Sequence, residues 1–74
     1  MYEKLKQILV EEMNLNESVI TPDSEFIADL GFNSLELADL VVICEEKFDV
    51  QFEDDVLPEL VTVRDVAEYL EANA

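Results

Sequence analysis

Histidine is absent from these 74 residues, and glycine and cysteine each occur once. Without an imidazole, no serine or cysteine nucleophile has its usual general base. A lone cysteine, Cys44, excludes an intramolecular disulfide. A lone glycine, Gly31, excludes a glycine-rich loop of the kind that cradles nucleotide phosphates. Basic residues are scarce as well: 4 Lys and Arg stand against 19 Asp and Glu, a formal net charge of −15. Nucleic-acid phosphates and anionic lipid headgroups are repelled by such a chain. No apolar run approaches the length of a membrane span, so no membrane insertion is expected. Met1-Tyr2-Glu3-Lys4 leads into an amphipathic pattern rather than a signal peptide, so the expected location is cytoplasmic. The carboxylates have no calcium-loop spacing: Asp29-Leu30-Gly31-Phe32-Asn33 lacks the alternating oxygen ligands and the terminal glutamate. No dedicated metal site is expected, although a crowded acidic face can attract divalent ions weakly. The residue inventory therefore points away from an enzyme.

Apolar residues are plentiful. Half the chain is hydrophobic, which separates it from disordered acidic tails. The length fits a single domain covering residues 1–74. A domain this small buries only roughly 60% of the surface its unfolded chain exposes. With self-repulsion added, its stability is expected to rise with salt, divalent cations or mild acid. The same charge should attract basic patches on other proteins.

Periodicity predicts three main helices and a minor one. Leu5, Ile8, Leu9 and Met13 share one face of a first helix from about Tyr2 to Asn14. A long, turn-rich stretch from Leu15 to Asn33 follows, which Val19, Ile20, Phe26, Ile27 and Leu30 can pin to a core. In it, Ser24 could cap a single turn holding Phe26 and Ile27. A second helix opens at Asn33, with Glu36 placed to complete a capping box, and runs to about Phe48. Its stripe of Leu37, Leu40, Val41, Cys44 and Phe48 should face inward. Leu35, Ala38 and Val42, interleaved with Asp39, Glu45 and Glu46, lie on the far side as an apolar centre with a charged rim. Pro58 limits the segment around Leu57 and Leu60 to a short or irregular helix. Thr62 caps the last helix, with Asp65 at the third position and Val61 and Val66 spaced for an apolar staple. No alternating strand pair is present. The expected fold is all-α, a small four-helix bundle with a long loop between helices 1 and 2.

One position combines exposure with a favourable field. Ser34 falls in the first turn of the second helix, just after Gly31, while Leu37 and Leu40 take the buried face. A phosphate ester on Ser34 would sit beside free backbone N–H groups, where negative charge is stabilised. Spacing alone favours a plain polar residue beside a cap, the common fate of serine at such a position.

The segment Asp29-Leu30-Gly31-Phe32-Asn33-Ser34-Leu35 resembles the attachment motif of acyl carrier proteins, an Asp-Leu-Gly-x-Asp-Ser-Leu run at the start of the second helix. The resemblance extends over nearly the whole chain. It takes in the first helix spacing, Phe26, Glu45-Glu46-Lys47-Phe48 and the Thr62-Val63 start of the last helix. It implies a non-catalytic, monomeric carrier whose Ser34 receives a 4′-phosphopantetheine arm from coenzyme A through a phosphopantetheinyl transferase. The thiol of that arm would carry acyl groups as thioesters between enzymes, most simply those of fatty acid synthesis. It also implies that basic patches on those enzymes dock on Leu35, Glu36, Asp39, Val42, Glu45 and Glu46. The growing chain would lie among Phe26, Leu40, Cys44, Leu57 and Leu60, positions that core packing explains as well. Three residues depart from the family pattern. Asn33 replaces the usual aspartate, Phe32 a small residue, and Cys44 a larger apolar one. These departures leave open a carrier of polyketide, aminoacyl or aryl units; an acidic helical adaptor without a cofactor is the alternative from another class.

Overall fold

The computed structural model describes residues 1–73. Three α-helices, α1 (Tyr2–Glu12), α2 (Ser34–Phe48) and α3 (Val63–Asn73), alternate with single 3-10 turns at Glu17–Val19 and Leu57–Glu59. The all-helical expectation holds, with the fourth, minor helix reduced to the turn at Pro58. Proline fits there because it lacks only an N–H that the first turn leaves unbonded anyway. Leu5 and Leu9 of α1, Leu40 and Cys44 of α2 and Val63 and Leu70 of α3 are all fully buried and form one core.

α1 ends two residues earlier than its periodicity suggests. Asn14 takes a left-handed conformation at φ 58°, and the Leu15 N–H turns back to the Leu9 carbonyl at 3.2 Å. Asparagine tolerates that region better than most residues, so it stops the helix in place of glycine. Ser24 also acts differently from expectation. Its hydroxyl sits on the Val19 carbonyl at 3.1 Å and accepts the Thr21 N–H at 3.0 Å, closing the turn before it rather than the turn after it. The turn after it is capped by Asp29, whose carboxylate accepts the Glu25 N–H at 2.7 Å. Of the loop's apolar residues, Ile20 and Phe26 are buried and Leu30 is half-buried, while Val19 and Ile27 stay exposed.

The long loop is held down by backbone pairing with the entrance to α3. Phe26 N–H donates to the Val61 carbonyl at 3.0 Å, Val63 N–H to Ser24 at 3.0 Å and Arg64 N–H to Pro22 at 2.9 Å. The Arg64 guanidinium adds an ion pair with Asp23 at 2.9 Å. A capping box fixes that entrance. Asp65 accepts the Thr62 and Val61 N–H groups at 3.0 and 3.1 Å, and its own N–H reaches the Thr62 hydroxyl at 3.2 Å. Val66 is buried, but Val61 is 47% exposed, so the expected staple leaves much of Val61 open.

The hydrogen bond from the Thr62 N–H is the main reason the Asp65 carboxyl titrates below its ordinary value. Burial opposes it, while the Val61 N–H, the Thr62 hydroxyl and the Arg64 charge assist it. A carboxyl lowered by folding adds stability above its unfolded pKa of about 3.9, and that stability is lost as pH falls through the folded value. Asp65→Asn is therefore expected to lower the urea midpoint at neutral pH, with the gap to wild type closing between about pH 5 and the folded pKa. Urea titrations of both proteins across that range test this. A gap that persists in strong acid would mean that the carboxylate charge is not its source.

Candidate functional site

The start of α2 is built by local hydrogen bonding. Gly31 approaches at φ +73°, a conformation open to glycine at little cost. Asn33 then caps the helix: its Oδ1 accepts the Glu36 N–H at 2.9 Å, and the Glu36 carboxylate accepts the Asn33 N–H at 3.2 Å. Leu37 N–H takes the Asn33 carbonyl at 3.1 Å. The N–H groups of Ser34 and Leu35, the first two of the helix, have no protein acceptor among the described residues.

Ser34 is exposed at the first helical position, and its hydroxyl makes no hydrogen bond to the described residues. The other two serines differ. Ser18 donates its hydroxyl to Asn16 at 2.9 Å, and Ser24 is buried within its own turn. The Ser34 oxygen is thus open to solvent beside two unspent backbone donors at the positive end of a 15-residue helix. A phosphodiester suits this place electrostatically, and the exposed side chain leaves it open to solvent.

The outward side of α2 carries a continuous ridge. Leu35, Asp39, Val42 and Glu46 follow one another at four-, three- and four-residue steps, covering about 16 Å at 1.5 Å per residue. Leu35 is 75% exposed and Val42 51%, with Asp39 and Glu46 open beside them. Glu36 is exposed too, although its carboxylate serves the cap. Glu45 is placed differently from these. Half-buried, it accepts the Phe52 N–H at 2.8 Å and anchors the chain that leaves α2. That chain leaves through Asp49, which is left-handed at φ 53°, and is held further by Phe52 against Tyr69, with ring centroids 4.6 Å apart.

Between the loop, α2 and the Pro58 turn lies a largely apolar cleft of about 280 Å³. Phe26, Ile27, Leu37, Leu57, Leu60 and Val61 form most of its wall. The structure therefore brings Phe26, Leu57 and Leu60 together at the cleft. Leu40 and Cys44 do not line it and lie fully buried in the core. Burial, and to a lesser degree the neighbouring Glu45, pushes the Cys44 thiol up to about 12, which leaves it un-ionised and unreactive near neutral pH.

Leu37, Ile27 and Val61 were not singled out as cleft residues by periodicity. Leu37 carried a signal, since it sits at the edge of the buried stripe one turn beyond Ser34. Ile27 and Val61 meet only because the loop pairs with the α3 entrance. Phe32 also gave no local signal, yet it is buried against Phe26, with ring centroids 5.5 Å apart and planes tilted by 43°.

Comparison with known proteins adds an independent line. A family model described as a phosphopantetheine attachment site matches residues 3–70. A Helicobacter pylori protein named acyl carrier protein is 34% identical over 73 residues, covering 99% of this chain and 94% of its own length. Proteins of the same name from Wolinella succinogenes and Helicobacter hepaticus are 36% and 38% identical over 72 residues, each covering 97% of this chain and 95% of their own.

Proposed function

Because the chain belongs to the acyl carrier proteins of the phosphopantetheine-attachment family, non-catalytic carriers with a covalent 4′-phosphopantetheine, we propose that Ser34 holds the arm and that the cargo is a fatty acyl chain. Such carriers interact with a phosphopantetheinyl transferase and with acyl-processing enzymes, which sets aside an adaptor without a cofactor. The thiol of the arm supplies the thioester chemistry. What Ser34 contributes is an oxygen nucleophile that the fold leaves unbonded, beside the unspent N–H groups of Ser34 and Leu35. That free hydroxyl is the observation that carries the proposal. Intact-mass measurement after incubation with coenzyme A and a broad-specificity transferase tests it, with peptide fragmentation locating the adduct. One phosphopantetheine on the peptide containing Ser34 is expected; an adduct on another residue overturns the assignment.

The Leu35–Asp39–Val42–Glu46 ridge is proposed as the docking face for basic patches on those enzymes, the carrier acting as a monomer in the cytoplasm. An apolar centre with carboxylates at its edge suits a partner whose own rim is basic. None of the described helices is long and apolar enough to cross a membrane. Reversing charge by Asp39→Lys or Glu46→Lys is expected to lower partner kcat/KM roughly tenfold at low salt, with the loss shrinking as salt is added and little change in Tm. Glu45→Ala should do the opposite, removing the acceptor of the Phe52 N–H and so weakening the fold while affecting docking less. Unchanged turnover of the Asp39 and Glu46 variants at low salt would remove the ridge as the contact surface.

A further inference from the structure

Phe26 is the residue on which the cleft and the core meet. It is one of the residues that line the 280 Å³ cleft, together with Leu37 and Leu57. The ring of Phe32, which is not part of that wall, packs against the Phe26 ring at a centroid distance of 5.5 Å. Both are nearly solvent-free, at 1% and 4% exposure, and Leu40 and Cys44 are fully enclosed. The backbone repeats the link, since the Phe32 N–H donates to the Phe26 carbonyl at 2.9 Å. Phe26 belongs both to the cleft wall and to the buried core, so deepening the cleft on this side requires its ring to withdraw. A ring packed against it, in an interior at crystal-like density, leaves no volume for that withdrawal.

We infer that Phe32 is a positioning residue that sets cargo size, holding Phe26 forward so that the cleft shelters only a short acyl segment and the rest of a longer chain stays in solvent or on a partner. The inference rests on the assignment of the arm to Ser34, two residues away. It also narrows the substrate class: short acyl groups are protected by this carrier, and long ones are not. Phe32→Ala removes the backing ring and lets Phe26 retreat, lengthening the sheltered space inward. Phe32→Leu keeps part of the bulk and should lie between the two.

The test uses the full chain loaded by a transferase from butanoyl-, octanoyl- and tetradecanoyl-coenzyme A, with loading verified by intact mass and melting read against the unacylated holo form. Each methylene taken from water should raise Tm by roughly 3–6 °C. In the wild type the rise is expected to stop at or before octanoyl, so that the octanoyl and tetradecanoyl forms melt together. In Phe32→Ala the tetradecanoyl form should melt above the octanoyl form by roughly 5–10 °C, with Phe32→Leu between. A merely structural role for Phe32 would lower every form equally and leave the chain-length profile unchanged, which would overturn the inference. A wild-type profile that climbs through tetradecanoyl would overturn it as well. If Phe32→Ala does not fold, the wild-type plateau and the Phe32→Leu profile decide alone. Failure of the wild type to load at Ser34 would instead refute the attachment assignment, a result visible in the mass spectrum before any melting is measured.

Discussion

Ser34→Ala is expected to gain no phosphopantetheine under conditions in which the wild type gains one arm and goes to completion. The effect is all-or-none because alanine offers no oxygen to form the phosphoester. The substitution should not disturb the fold. The Ser34 hydroxyl bonds to no described residue, and the cap depends on Asn33 and Glu36 instead. A stability change within about 0.5 kcal/mol is expected, as for surface positions without such ties. Circular dichroism and a melting curve measured beside the mass spectrum therefore separate loss of the nucleophile from loss of the helix. Ser18 and Ser24 serve as internal controls, since their hydroxyls are spent on Asn16 and within a buried turn. Mass gain by the alanine variant would show that another residue accepts the arm.

Leu40→Ala is expected to bring the protein close to unfolding. Leu40 is fully buried at the centre of α2, and truncating a leucine in such a site costs about 2–5 kcal/mol. A chain of 74 residues has a total stability of about 4–11 kcal/mol at the usual value per residue. The loss is therefore a large share of the whole. At roughly 4–8 °C per kcal/mol for a domain of this size, Tm should fall by roughly 8–40 °C. The net charge of −15 makes the outcome depend on ionic strength, because repulsion within the compact state is strongest where screening is weakest. Leu40→Ala should be largely unfolded at low salt and regain structure as salt is added, while the wild-type Tm also rises. Urea and thermal titrations at low and moderate salt measure both effects. A loss under about 1 kcal/mol would mean that the site collapses around the smaller side chain. A Tm insensitive to salt would remove self-repulsion as a factor.

The two capping boxes were legible in the sequence because each is closed within four residues. Asn33 with Glu36 and Thr62 with Asp65 form the reciprocal bonds their spacing suggests. The buried stripe of α2 was equally legible, since a helix fixes which residues share a face whatever packs on it. Glu45 shows where such reasoning stops. Its place on the helix suggested an outward charge, but the chain after Asp49 folds back and puts the Phe52 N–H against its carboxylate. Ser24 and Asn14 show the same limit in the loop, where several polar groups compete to close a turn and only the packed backbone selects one.

The sequence by itself determined an all-helical acidic domain, an exposed serine at the start of the second helix and a core without reactive groups. These follow from periodicity, capping and composition, which are local or additive properties of the chain. Only the tertiary structure decided what stands near that serine. Pairing of residues 22–26 with 61–64 brings Ile27 and Val61 to one cleft, and the same packing sets Phe32 against Phe26. Residues as far apart in the chain as Ile27 and Val61 come together only through how the helices close on each other, and no local spacing encodes that.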